Sequence, residues 1–251
     1  MRVAIVTARP RSAVSLAVPY LASDLGAASV LVVQLPDARP SLPPLRRLVD
    51  RRIRQWAGSE AGLSLSETLA QTGVNVIHTR NLDTALATLK AFLPDLVVGI
   101  AVREFVGELA EGLASPSIEL TYGRGREENP QAALLWAVHS GANTVDVVYR
   151  RLEPTHHREV VYQEPVAIPF QSSLAGTVQH GVAALERRAA TALAEFAAWS
   201  TGLLDRAEPI DSTPARGTPS FRDLRRMRER HDGLRREHLA TAPVVEERQK
   251  P

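Results

Sequence analysis

The chain has 251 residues, 44% of them hydrophobic and 23% charged, with a formal net charge of +2. That balance excludes wholesale disorder, and the length fits one large domain with a small appendage. No apolar run reaches the roughly 18 residues a membrane helix needs, and with no cysteine there are no disulfides, thiolate metal sites or cysteine nucleophiles.

The apolar run before Arg9 is too short for a secretory signal, so a cytoplasmic location is expected. Lys90 and Lys250 are the only lysines, so nearly all the positive charge is arginine. Residues 2–7 form a β-branched run without helical period, which predicts a buried strand. Residues 12–25 carry apolar side chains at helical spacing, and 29–35 read as a second strand. The proline-rich stretch 36–44 is a loop. A helix over 45–56 is expected to turn Leu45, Leu48, Val49, Ile53 and Trp56 to one face, with arginines on the remainder.

Residues 73–78 predict a third strand, and Asn81 or Asp83 caps a helix reaching Phe92. Residues 96–101 form the most apolar strand, followed by a helix over 104–113 and a strand over 117–121. Residues 122–129 are polar and glycine-containing, hence a loop, and Pro130 suits the first turn of a helix over 131–140. Residues 143–151 and 159–168 alternate as a hairpin. This succession predicts an α/β fold, a Rossmann-like, mostly parallel sheet with helices on both faces, closed by an antiparallel edge.

After Pro169 the pattern changes. Residues 172–201 are one long alanine-rich helix, or two with a break at Gly181. The α/β domain is expected to span 1–201. Residues 202–251 form an Arg-rich tail, helical over 221–239 on thin apolar content (Phe221, Leu224, Met227 and Leu234), that wraps the domain or a protein partner. Acidic residues interleave with its arginines and aromatic residues do not, which argues against nucleic acid.

Leu89-Lys90-Ala91-Phe92-Leu93-Pro94-Asp95-Leu96-Val97-Val98 is similar to the strand entry of the formyl-tetrahydrofolate-dependent formyltransferases, which act on methionyl-tRNA, glycinamide ribonucleotide and amino sugars. Arg124–Gly141, ending Asn-Pro-Gln-Ala-Ala-Leu-Leu-Trp-Ala-Val-His-Ser-Gly, resembles that family's Arg-Gly-x-x-Pro followed by its Trp-Ala-Ile-x-x-Gly helix. Gln163-Glu164-Pro165-Val166-Ala167-Ile168 resembles the close of its hairpin. About 200 residues are covered, with Pro130, Trp136 and Gly141 the most specific.

The resemblance implies formyl-tetrahydrofolate as donor and a small-molecule amine as acceptor. It also implies a site whose chemical groups have been replaced. Glu119 stands where the family has the asparagine of Asn-x-His, Thr121 where it has the histidine, and His156 near its aspartate. In the family mechanism the first two donate to a tetrahedral oxyanion and the aspartate orients the histidine. An ionised Glu119 can only accept, and Thr121 donates but cannot shuttle protons near neutral pH.

The candidate catalytic residues are therefore Glu119, Thr121 and His156, with Tyr122, Arg124, Glu128 and His157 as substrate contacts. Glu119 is an acid/base or amine anchor, or else a carboxylate paired with Arg124 or Arg126. His156 and His157 are proton carriers or solvated turn residues. A metal held by Glu119, His156 and Glu127 or Glu128 matches no known ligand spacing. Three functions stay open: an enzyme with an altered site, a non-catalytic scaffold or regulator of a partner, and an RNA-binding relative.

Overall fold

The computed structural model describes residues 1–8, 13–36, 44–57, 70–102, 105–123, 127, 129–152, 159–199, 208–209 and 219–241. Five strands run parallel: β1 (Val3–Thr7), β2 (Val30–Gln34), β3 (Asn75–His78), β4 (Leu96–Ile100) and β5 (Ser117–Tyr122). Three more extend the sheet in antiparallel fashion: β6 (Thr144–Arg151), β7 (Glu159–Ala167) and the two-residue β8 (Glu208–Pro209). The order is β3-β2-β1-β4-β5-β6-β7-β8. The mostly parallel sheet and its antiparallel edge are as the alternation of elements predicts.

Period-two alternation divides the core. Ile5, Val32, Val98, Ile118, Leu120 and Tyr149 face one side. There they meet α1 (Ala13–Leu25), α2 (Pro44–Ala57), α5 (Pro130–Ser140) and α6 (Leu174–Trp199). Ala4, Val6, Val33 and Val97 face the other side, under α3 (Leu82–Phe92) and α4 (Val106–Gly112). Central strands buried on both faces need continuous apolar runs, which is why β1 reads Val-Ala-Ile-Val-Thr with every residue buried.

Local signals set the helix ends. Asn81 accepts from the amide of Asp83 at 2.8 Å and starts α3. Asn129 caps α5 at 2.9 Å with Pro130 in its first turn, and Gly141 closes it at φ 82°. Leu48 departs from expectation: it is 57% exposed while Val49 and Ile53 are buried. The buried stripe of α2 is centred on the 49/53 pair, and a neighbour 100° round the helix falls outside it. Of the two alternatives for residues 172–201 the single helix holds, since α6 runs unbroken through Gly181. A Cβ at Gly181 would stand 2.1 Å from Leu134 Cδ1, so the glycine permits close approach of α5 and α6.

The arginine-rich tail helix, α7 (Phe221–Thr241), packs against α5 and α6. Leu224, Met227 and Leu234 are buried there, whereas Phe221 is exposed. His231 Nε2 lies 2.8 Å from Thr177 Oγ1, tying α7 to α6. Arg230 sits against Gly141, so its guanidinium meets the carbonyl end of α5, where a cation is favoured.

At the start of α7, Ser220 and Asp223 exchange hydrogen bonds: the Ser220 amide donates to Asp223 Oδ2 at 2.9 Å, and the Asp223 amide to Ser220 Oγ at 3.2 Å. The bonds from Ser220 hold the Asp223 carboxyl below the usual aspartate range. Ser220→Ala is expected to cost about 1 kcal/mol at neutral pH. Because the folded-state pKa of Asp223 is depressed, the share of that contribution carried by its carboxylate is present above the ordinary aspartate value of about 3.9 and is lost as pH falls through the folded value, while the bond from the Asp223 amide to Ser220 Oγ does not titrate. Urea unfolding of the two proteins at neutral and strongly acidic pH checks this. A stability gap of the same size at both pH values would contradict it.

Among the described residues no helix is long and apolar enough to cross a membrane.

Candidate functional site

In open α/β sheets, ligands bind beyond the carboxyl ends of the strands where the strand order reverses. Here the chain builds β1, β2 and β3 in one direction and returns with β4 on the other side of β1. The reversal lies between β1 and β4, where the Ala8 amide bonds Ile100 O at 3.3 Å. Immediately after β4, Ala101 holds φ 56°, a left-handed conformation that is strained for a residue with a side chain. Gly99 precedes it. A Cβ there would come within 2.7 Å of Val102 Cγ2, so the turn folds back tightly over the strand end.

β5 flanks this turn. Ile118, Leu120 and Tyr122 enter the larger apolar cluster, so Ser117, Glu119 and Thr121 occupy the opposite face. Glu119 and Thr121 are each 1% exposed. Thr121 Oγ1 donates a long hydrogen bond to Val148 O at 3.5 Å. Register puts Glu119 beside Gly99 on β4 and opposite Arg150 on β6. Arg150 is itself 1% exposed, so two opposite charges stand buried as cross-strand neighbours at the middle of the sheet.

A β-bulge adjoins Arg150: the partners of Tyr149 and Arg150 on β7 are Tyr162 and Val160, leaving Val161 as the extra residue. Arg150 was not among the sequence candidates. The alternation in β6 turns it away from Val147 and Tyr149, but only the pairing of β6 with β5 brings it to Glu119.

Tyr122 requires a correction. It is the last residue of β5 and not part of the following loop, its amide bonds Glu127 O at 2.7 Å, and its ring is buried in the larger cluster, on the face away from Glu119 and Thr121. Strand alternation simply runs one residue further than the polar composition suggested. His156, His157, Arg124, Arg126 and Glu128 lie outside the described residues. Ser15, in the first turn of α1, has a buried hydroxyl with no hydrogen-bond partner. Leu135 is core, and Trp136 packs against the core with its ring edge-on to His139 at 5.3 Å. Among the described residues no three His, Asp or Glu side chains cluster as a metal site would require.

On the hairpin, the Tyr149 hydroxyl donates to Ala189 O at 2.7 Å, and burial pushes its pKa upward. Arg188 bonds Tyr162 and Glu164, and the guanidinium holds the Glu164 carboxyl below its ordinary value. These contacts clamp α6 to the hairpin that carries Arg150.

Solved structures share this fold. A sugar N-formyltransferase from Shewanella sp FDAARGOS_354 superposes with a TM-score of 0.51 at 13% identity, over 92% of this chain and 87% of that one. The N-formyltransferase from Helicobacter canadensis, in complex with folinic acid and dTDP-3-aminofucose, gives a TM-score of 0.52 at 9% identity, over 88% and 72% of the two chains. The chain has the formyltransferase fold. Glycinamide ribonucleotide transformylase 1 from Symbiobacterium toebii also aligns, at a TM-score of 0.49 and 12% identity, over 78% and 88%. No protein-family signature and no curated protein matches the sequence.

Proposed function

We propose that this formyltransferase-fold chain is an enzyme that transfers a formyl or another small acyl group to an amine through an altered active site. The observation that carries the proposal is the pair Glu119 and Thr121, polar side chains buried on one face of β5. Burying a carboxylate is costly unless something compensates it, and an inert strand would place apolar residues there. The Helicobacter canadensis relative, solved with folinic acid and an amino-sugar nucleotide, supports a reduced folate as donor and an amine as acceptor class. The unpartnered Ser15 hydroxyl beside the strand-order reversal suits a ligand with a hydrogen-bonding group at that edge.

When bound, formyl-tetrahydrofolate supplies an electrophilic formyl carbon. Glu119 anchors the acceptor amine and receives its proton, since an ionised carboxylate offers only acceptors. Thr121, turning its one hydroxyl proton away from the long bond to Val148 O, donates toward the oxygen on which negative charge develops, and Arg150 adds the buried positive charge that an oxyanion needs in place of the family's asparagine and histidine. His156 returns a proton to the departing nitrogen, while Arg124, Glu128 and His157 hold the acceptor.

With formyl-labelled 10-formyl-tetrahydrofolate and a panel of amino-sugar nucleotides and other primary amines, transfer of label to an amine is expected. Glu119→Gln should slow it at least about a hundredfold. Label that reaches no amine, or a Glu119→Gln enzyme as fast as the parent, would remove this mechanism. A second reading, a non-catalytic scaffold for a partner enzyme, draws on the replacement of the family's Asn-x-His. Co-purification of a stoichiometric partner through residues 202–251, in the absence of any transfer, would favour it.

A further inference from the structure

On the opposite face of the sheet from Glu119, α2, α6 and α7 enclose a cavity of about 290 Å³. That is close to the lower limit of small-molecule pockets, roughly 300 Å³. Its walls come from three elements: Arg52 of α2, residues 173–175 at the start of α6, and Arg228, His231 and Asp232 of α7.

The lining sets two arginines, Arg52 and Arg228, against one carboxylate, Asp232. Arg52 and Arg228 are solvent-accessible, and among the described residues neither guanidinium has an ion-pair or hydrogen-bond partner. By contrast, Arg225 on the same helix bonds Glu229 at 3.2 Å. The 26-residue α6 begins at the cavity wall. Ser173 Oγ accepts from the Gly176 amide at 3.1 Å, and Ser173 O from the Thr177 amide at 2.9 Å. The amides of Leu174 and Ala175 are left without an acceptor, at the positive end of the helix dipole.

The wall between the arginines is fixed. His231 is 1% exposed, with Nε2 2.8 Å from Thr177 Oγ1. Thr177 Oγ1 also accepts from the Gln171 amide at 2.7 Å. The other ring nitrogen, Nδ1, lies 3.3 Å from Asp232 Oδ1. Asp232, exposed at the rim, is the acidic member of the lining.

We infer that this cavity binds a small phosphate monoester carrying a neighbouring hydroxyl or amino group. The phosphate sits between Arg52, Arg228 and the first-turn amides of α6, and Asp232 accepts from the neighbouring donor. Planar guanidinium forks and free helix amides match phosphate oxygens, and the single carboxylate discriminates in favour of a ligand with a donor beside its anion. The site does not depend on the acyl-transfer reading, because it lies across the sheet from β5. Occupancy would also fasten α7 to α2 and α6.

The test is calorimetric titration of the full chain with glycerol 3-phosphate, inorganic phosphate, glycerol and lactate. Saturable one-site binding of glycerol 3-phosphate is expected, with phosphate weaker and glycerol silent. Arg52→Gln and Arg228→Gln should each weaken it at least about tenfold, as loss of a charge-assisted bond does. Arg222→Gln, an exposed arginine of α7 that does not line the cavity, should leave it unchanged. All these positions are on the surface, and matching unfolding curves verify the folds. No saturable binding, equal weakening by Arg222→Gln, or lactate binding as tightly as glycerol 3-phosphate would each overturn the assignment.

Discussion

Arg150→Met is expected to lower the stability of the chain by about 3–5 kcal/mol, the usual cost of stripping one member from a buried pair of opposite charges. Arg150 and Glu119 are opposite one another in the β5–β6 ladder and both almost wholly shielded from water. Removing the guanidinium takes the facing opposite charge away from a carboxylate in a low-dielectric interior. Glu119→Leu alone should cost a similar amount for the converse reason. The double variant Glu119→Leu with Arg150→Met should recover part of the loss, because neither charge then remains to be solvated. Urea unfolding midpoints of the four proteins measure the coupling. Strictly additive effects would mean that the two side chains act through separate partners.

Gly181→Val is expected to cost about 3 kcal/mol, and Gly181→Ala to be destabilising as well. In an exposed helix interior, glycine to alanine would gain up to about 1 kcal/mol, so the sign itself is diagnostic. The opposite sign follows from contact. A Cβ at this position would stand 2.1 Å from Leu134 Cδ1, and Leu134 is buried in the layer between α5 and α6. Forcing extra carbon into a filled core costs about 1–3 kcal/mol and moves the helices apart. α6 is also the helix that Arg188 clamps to the hairpin, so its displacement reaches β7 and the bulge beside Arg150. Thermal and urea unfolding give the answer. A Gly181→Ala protein more stable than the parent would show that α5 and α6 yield freely at this point.

These two positions also mark what the sequence could and could not convey. Continuous β-branched runs told of strands buried on both faces, and Asn81, Asn129, Pro130 and Gly141 announced helix ends through chemistry local to each. Such signals sit within a few residues of the structure they specify. Gly181 carries the same letter whether it breaks a helix or admits a neighbour, and only the position of Leu134, 47 residues earlier in the chain, decides. Glu119 could be flagged as a polar residue in an apolar strand. Its neighbour Arg150 could not, because the β5–β6 register is a long-range choice. Leu48 looked apolar and helical, yet the stripe that α2 buries is narrower than its composition. Tyr122 sat at a boundary that polarity placed one residue early.

Titration of the full chain with folinic acid tests the central claim most directly. A formyltransferase-fold enzyme with its donor site at the strand-order reversal should bind this stable formyl-folate saturably, at one site per chain. A calorimetric trace that stays flat with folinic acid up to its solubility limit would contradict the account, leaving a formyltransferase fold without its donor.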